Sequence, residues 1–139
     1  MSITVPNGGE AIALDAITGK TAATGWTLRL YTAISPALSS GTVVAHLTEA
    51  AGGGYAAIAL TAANWVTTPG APTSTAYAKQ TFTFTGTLTA AATVLGYYVT
   101  RADGSLVFAE ALAAPFQPAN NGDTIDVTPA FTLGSIVND

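Results

Sequence analysis

The sequence predicts an all-β domain built as an antiparallel β-sandwich, with a small closed barrel as the alternative. Three observations carry this expectation. Short runs alternate apolar and polar residues with a period of two, as half-buried strands do. Turn-forming Gly, Pro, Asn and Asp separate those runs at short intervals. No strand followed by a long helical pattern recurs, which argues against a parallel α/β fold. At 139 residues the chain fits one domain, 1–139.

In chain order, Thr4-Val5-Pro6-Asn7-Gly8-Gly9-Glu10 reads as an arm ending in a turn, so residues 1–10 are expected to form an N-terminal arm. Pro6 excludes a central strand position, and Asn7-Gly8 marks the turn. Glu10 to Ile17 fits either a short helix or an edge strand. Trp26 to Tyr31 alternates well, with Trp26, Leu28 and Leu30 inward and Thr27, Arg29 and Tyr31 outward. A loop begins at Ser35-Pro36, and Thr42 to Thr48 is the next strand candidate. Gly52-Gly53-Gly54 supplies a permissive or crowded corner before Tyr55 to Thr61, where Ile58 and Leu60 share a face.

Thr67 to Ser74 reads as a loop stiffened by Pro69 and Pro72. Lys79 to Thr85 is the cleanest strand, with Phe82 and Phe84 on one face and threonines on the other. Thr93 to Thr100 and Ser105 to Glu110 flank Asp103-Gly104, the strongest hairpin signal in the chain. Pro115 and Pro118 bracket Phe116 in a loop. Asn120 to Asp123 is a tight turn, followed by a strand at Thr124–Thr128 and a last short one holding Phe131 and Leu133. The expected inner faces contain Trp26, Leu28, Leu30, Ile58, Leu60, Phe82, Phe84, Leu95, Phe108 and Val127.

Charged residues make up 9% of the chain, against roughly 25% in an ordinary soluble domain. Four Lys and Arg against eight Asp and Glu give a net charge of −4. So few cations speak against coating a nucleic acid, whose phosphates must be neutralised. There is no Cys, hence no disulfide framework and no thiolate metal site. No run approaches a membrane span, and Met1-Ser2-Ile3-Thr4 lacks the basic and apolar regions of a signal peptide. Ala occurs 28 times and Thr 23 times, so the surface must be neutral and short-chained. Such a surface loses little side-chain entropy when covered, which suits assembly.

No active site, metal site or cofactor site is expected. His46 stands alone, and Glu49, three residues on, falls on the opposite face of a strand. Asp103 and Asp123 sit in Gly turns, where Asp serves the backbone. Asn120 to Asp126 is rich in oxygen ligands, but an ordinary Asn-Gly turn explains it better than calcium, which needs six to eight oxygens. Gly52-Gly53-Gly54 lacks the Lys and Ser or Thr of a phosphate loop. The aromatics and prolines are the more informative residues. Pro6, Tyr31, Trp65, Pro69, Pro72, Tyr77, Tyr98 and Phe116 are the interface candidates, because exposed aromatics anchor contacts and proline-braced loops lose little freedom on binding. Tyr97 and Tyr98 are adjacent on a strand, so if Tyr97 faces inward with Leu95 and Val99, Tyr98 faces out.

Three segments carry a resemblance: Gly52 to Trp65, Gln80 to Gly86, and Gly96 to Gly104. Together they resemble small virion structural proteins of tailed bacteriophages, from about Val5 to Leu133. The resemblance implies a non-enzymatic capsid cement (decoration) protein that binds across capsomers, with the major capsid protein and further copies of itself as partners. It implies a virion location after synthesis in the host cytoplasm, with neither nucleic acid nor membrane as partner. The alternatives are a tail or neck component, or a carbohydrate- or receptor-binding module on the tail. The last requires solvent-exposed aromatics in a concave patch.

Overall fold

A computed structural model describes residues 3–20, 24–70 and 72–133. The chain is mostly β, with antiparallel sheets packed as a sandwich rather than closed into a barrel. The main sheet contains β1 (Ile3–Thr4), β2 (Trp26–Ile34), β3 (Leu47–Glu49), β4 (Ile58–Leu60), β8 (Val94–Thr100) and β9 (Leu106–Phe116). Its order is β1-β9-β8-β2-β3, with β4 also paired to β2. The opposing layer is split. One part is a ribbon of β7 (Gln80–Thr83) and β10 (Thr124–Val127); the other is a three-stranded sheet, β11-β6-β5, of Ala130–Leu133, Thr73–Tyr77 and Trp65–Thr68.

Period-two patterning places the core. Leu28 pairs with Val99 and Leu30 with Tyr97 across β2 and β8, and Val99 pairs with Phe108 on β9. These side chains meet Phe82, Phe84, Leu88, Ile125 and Val127 from the other layer. Phe82 lies opposite Ile125, so the β7–β10 ribbon presents one apolar face, while Thr81, Thr83 and Thr85 are exposed. Every residue expected on the inner faces belongs to this core or packs against it, except Leu95. A register shift between Val94 and Gly96 turns Val94 into the core and sends Leu95 to the other side.

That other side is also covered. Tyr31 and Tyr98, expected to face solvent, form a second core with Leu47, Leu106 and Ala109. Ile34, Leu38 and Val44 pack over them. Ile34 ends β2; Leu38 and Val44 belong to the segment after it, which returns through a cis Ser35–Pro36 peptide and is tied to the N-terminal region by Asn7 N–H donating to Ser40 O at 2.9 Å. The alternation placed Tyr31 and Tyr98 on the correct face; the covering segment makes that face an interior one.

Residues 3–10 do not form a free arm. Ile3 and Thr4 pair with Glu110 and Ala109, and a helix, α1 (Asn7–Ile17), begins directly after Pro6. Pro6 is fully buried at its N-cap, a place proline tolerates because an unpaired N–H is lost there anyway. The 42–48 strand is also revised. Val44–His46 is a 3₁₀ turn, and only Leu47–Glu49 is strand. The 67–74 loop is in fact the tip of the β5–β6 hairpin, whose strands pair from Trp65↔Tyr77 to Thr68↔Ser74. Phe116 ends β9, paired with Val94, instead of lying in a loop.

The Asp103-Gly104 hairpin is present, joining β8 and β9. Arg101 N–H donates to Ser105 O and Gly104 N–H to Arg101 O, both at 2.9 Å, so the loop holds three residues with Gly104 left-handed, a common hairpin closure. Gly52-Gly53-Gly54 is a crowded corner. All three have positive φ, Gly53 O accepts from Thr85 N–H at 2.8 Å, and a Cβ on Gly53 would stand 2.7 Å from Gly86 O.

Candidate functional site

The few cations are engaged. Each of the four cations forms an ion pair: Lys20–Asp15 at 3.5 Å, Arg29–Glu49 at 2.9 Å, Lys79–Asp126 at 3.0 Å, and Arg101 with Asp103. Arg29 reaches both Glu49 oxygens and donates from Nε to Thr100 Oγ1. Tyr55 donates its hydroxyl proton to Glu49 Oε1 at 2.9 Å and accepts from Leu30 N–H. This half-buried network ties β2, β3 and the glycine corner together.

The acids in turns serve the backbone. Asp123 Oδ2 accepts from Ala119 N–H at 2.8 Å and Asn120 N–H at 2.9 Å, and these donors hold its carboxyl below the usual carboxylate range. Arg101 and then the donors of Ser105 do the same, strongly, for Asp103. The Thr81 hydroxyl and then Lys79 lower Asp126. Among the described residues no three His, Cys, Asp or Glu side chains gather as a metal site. His46 Nδ1 accepts from Val43 N–H at 3.4 Å within its own 3₁₀ turn. No described helix is long and apolar enough to cross a membrane.

The interface candidates scatter. Pro6, Tyr31, Tyr77 and Tyr98 are buried within the fold, which removes them as free anchors. Tyr77 is a latch: its hydroxyl accepts from Thr61 N–H at 3.0 Å and Asn64 Nδ2 at 3.2 Å. Trp65 and Phe116 are half-buried, whereas Pro69 and Pro72 are exposed at the β5–β6 tip. There Thr73 Oγ1 bonds back to Gly70 O at 3.1 Å. Val66, on the same hairpin, is 67% exposed. The hairpin thus brings together Trp65, Val66, Pro69 and Pro72 and none of the other candidates except buried Tyr77.

At the base of that hairpin lies a cleft of about 240 Å³. Trp26 and Trp65 form its aromatic walls, with Leu60 and Ala62 beside them and Thr24, Gly25 and Thr75 adding polar groups. The two indoles meet edge to face, with centroids 5.4 Å apart. Trp65 also meets Tyr77 edge to face at 5.3 Å, and Trp26 meets Phe108 at 6.4 Å. Rings braced in this way hold their orientation.

No family model, curated protein or solved structure matches the chain.

The period-two pattern puts Trp26 in the core, and Trp65 stands among the interface candidates. Neither reading showed that they share a cleft. Trp26 opens β2 opposite Leu60, and Trp65 opens β5. Their positions at strand starts were the available signal, since strand ends form the rims of sheets.

Proposed function

We propose that this chain is a non-enzymatic virion structural protein of a tailed bacteriophage, a cement protein that binds across capsomers as a homo-oligomer. The virion setting comes from the resemblance of the 52–65, 80–86 and 96–104 segments. The observation that supports the mode of action is the state of its charges: all four cations are paired within the fold. A partner covering such a surface strands few unpaired charges, which are costly to bury. It also finds no free cation cluster of the kind that phosphates require.

The β5–β6 hairpin is the contact this reading favours. It projects exposed Val66, Thr67 and Thr68 toward a tip braced by Pro69 and Pro72, and β5 is an edge strand able to add to a neighbouring sheet. Repetition over a capsid lattice would turn a weak single contact into stable occupancy. The test is co-sedimentation of purified protein with undecorated capsids, followed by counting copies per particle. Saturation at a stoichiometry matching the symmetry axes is expected. Absence from capsids together with presence on tails would overturn the cement role.

A further inference from the structure

We infer that the cleft lined by the touching indoles of Trp26 and Trp65 is a binding subsite for one ring of a neutral sugar. This stands apart from the capsid reading and rests on the chemistry of the lining. The walls are two indoles, Trp26 and Trp65, and the polar groups are Thr24, Thr75 and the backbone at Gly25. A pyranose has the same two-sided character: a C–H face that packs on an aromatic ring, and an equatorial belt of hydroxyls that exchanges hydrogen bonds with Thr hydroxyls and backbone groups.

Charge narrows the ligand class. Among the described residues no Lys, Arg, His, Asp or Glu lines the cleft, so these residues offer nothing to pair with a phosphate, a carboxylate or an ammonium. A charged ligand would lose hydration there with no counter-charge in return. Size narrows it further. About 240 Å³ falls below the roughly 300–1,000 Å³ of sites that enclose drug-sized ligands, which suits a single ring rather than a nucleotide or a large cofactor. The Nε1 atom of Trp26 is buried, so a guest meets the carbons of that indole. The braces from Tyr77 and Phe108 fix both walls before a ligand arrives, which lowers the ordering cost of binding. The cleft is open at the surface, as the end or branch of a longer glycan would require.

Trp26 and Trp65 are the only tryptophans in the chain, so tryptophan emission, excited beyond the tyrosine absorption band, reports on this cleft. The experiment titrates the full chain with maltohexaose, cellohexaose, N-acetylchitohexaose, mannohexaose and a neutral galactan, and with polygalacturonate as the acidic counterpart. A saturable shift in emission with at least one neutral glycan, and none with polygalacturonate, is expected. Trp65→Ala should weaken that binding about tenfold or more, and Trp65→Phe should restore part of it. Because Trp65 touches the core, a second variant protects the test. Ala62→Arg fills the cleft from an exposed position and should abolish binding while leaving the melting temperature close to that of the parent. No response to any neutral glycan, an equal response in Ala62→Arg, or preference for polygalacturonate would overturn the inference. Capsid binding can succeed or fail independently of each of these results.

Discussion

The ring of Tyr31 occupies the space over Gly96, the residue directly opposite it on the neighbouring strand. A Cβ at Gly96 would stand 2.4 Å from the Tyr31 hydroxyl oxygen, 2.5 Å from its Cε1 and 2.3 Å from Glu110 O. The missing side chain is therefore what lets a tyrosine lie across the sheet and be buried by the 35–46 segment. An aromatic ring covering a cross-strand glycine is a recognised way of filling such a gap.

Gly96→Ala should accordingly cost about 1–3 kcal/mol or more, the range for forcing atoms into a packed interior. Gly86→Ala is the control, since a Cβ there meets nothing within 4 Å; its effect should stay within about 0.5 kcal/mol. Urea midpoints at constant m-value measure both. Similar losses at the two sites would contradict the proposed close packing of Tyr31 on Gly96.

Phe84→Ala should destabilise the domain by about 3–5 kcal/mol, the usual cost of deleting a buried Phe, because Phe84 is completely buried. Thr83→Ala on the exposed face of the same segment should cost under about 1 kcal/mol. Equal losses would mean that the threonine face is covered in the state being measured, as it would be in an oligomer.

Alkaline pH should unfold the protein through its tyrosines. Burial pushes the hydroxyls of Tyr31, Tyr55, Tyr97 and Tyr98 upward, with Tyr98 raised to about 12. In the unfolded chain they ionise near about 10. Above that value the unfolded state releases protons that the folded state retains, so it binds fewer protons and stability falls as pH rises. The contribution is fully present below the unfolded value, erodes above it, and for Tyr98 is lost through about 12. Tyr77 works weakly the other way, because donors from Thr61 and Asn64 lower it. Urea midpoints taken upward from about pH 9 should decline steeply. Tyr98→Phe should flatten the decline and Tyr77→Phe should not; an unchanged slope in Tyr98→Phe would contradict this account.

Much of this fold was legible because strand periodicity is local. Phe82 and Phe84 announced a buried face, and Asp103-Gly104 announced the β8–β9 turn, each from adjacent residues. The rest depended on distant chain. The face of Tyr31 and Tyr98 could be read, but not its cover, since burial there comes from a non-repetitive segment after β2. Asn7-Gly8-Gly9 carries turn residues yet lies in α1, where docking against β9 overrides weak helix propensity. Pro69 and Pro72 signalled a loop, and the tip is one, but the Thr-rich strands running to it have no alternation of large apolar residues to mark them. Leu95 was misplaced by a bulge that local pattern does not encode.

The last prediction separates the exposed surfaces available to a partner. Val66 on the edge strand β5 is 67% exposed, and a charge placed there disturbs no core contact. Val66→Glu should leave the urea midpoint within about 0.5 kcal/mol of the parent. If β5 is the edge that meets the capsid, the introduced carboxylate must be buried without a counter-charge, which is strongly unfavourable. Single-site affinity should then fall at least about tenfold, equivalent to about 1.4 kcal/mol. The loss is multiplied wherever several copies bind together. The competing surface is the outer side of α1, where Leu14 and Ile17 are 62% and 71% exposed. Leu14→Glu tests it in the same manner. Capsid occupancy that drops for Val66→Glu and holds for Leu14→Glu supports strand addition at β5. The reverse pattern would move the contact to the helix and leave the β5 edge unused.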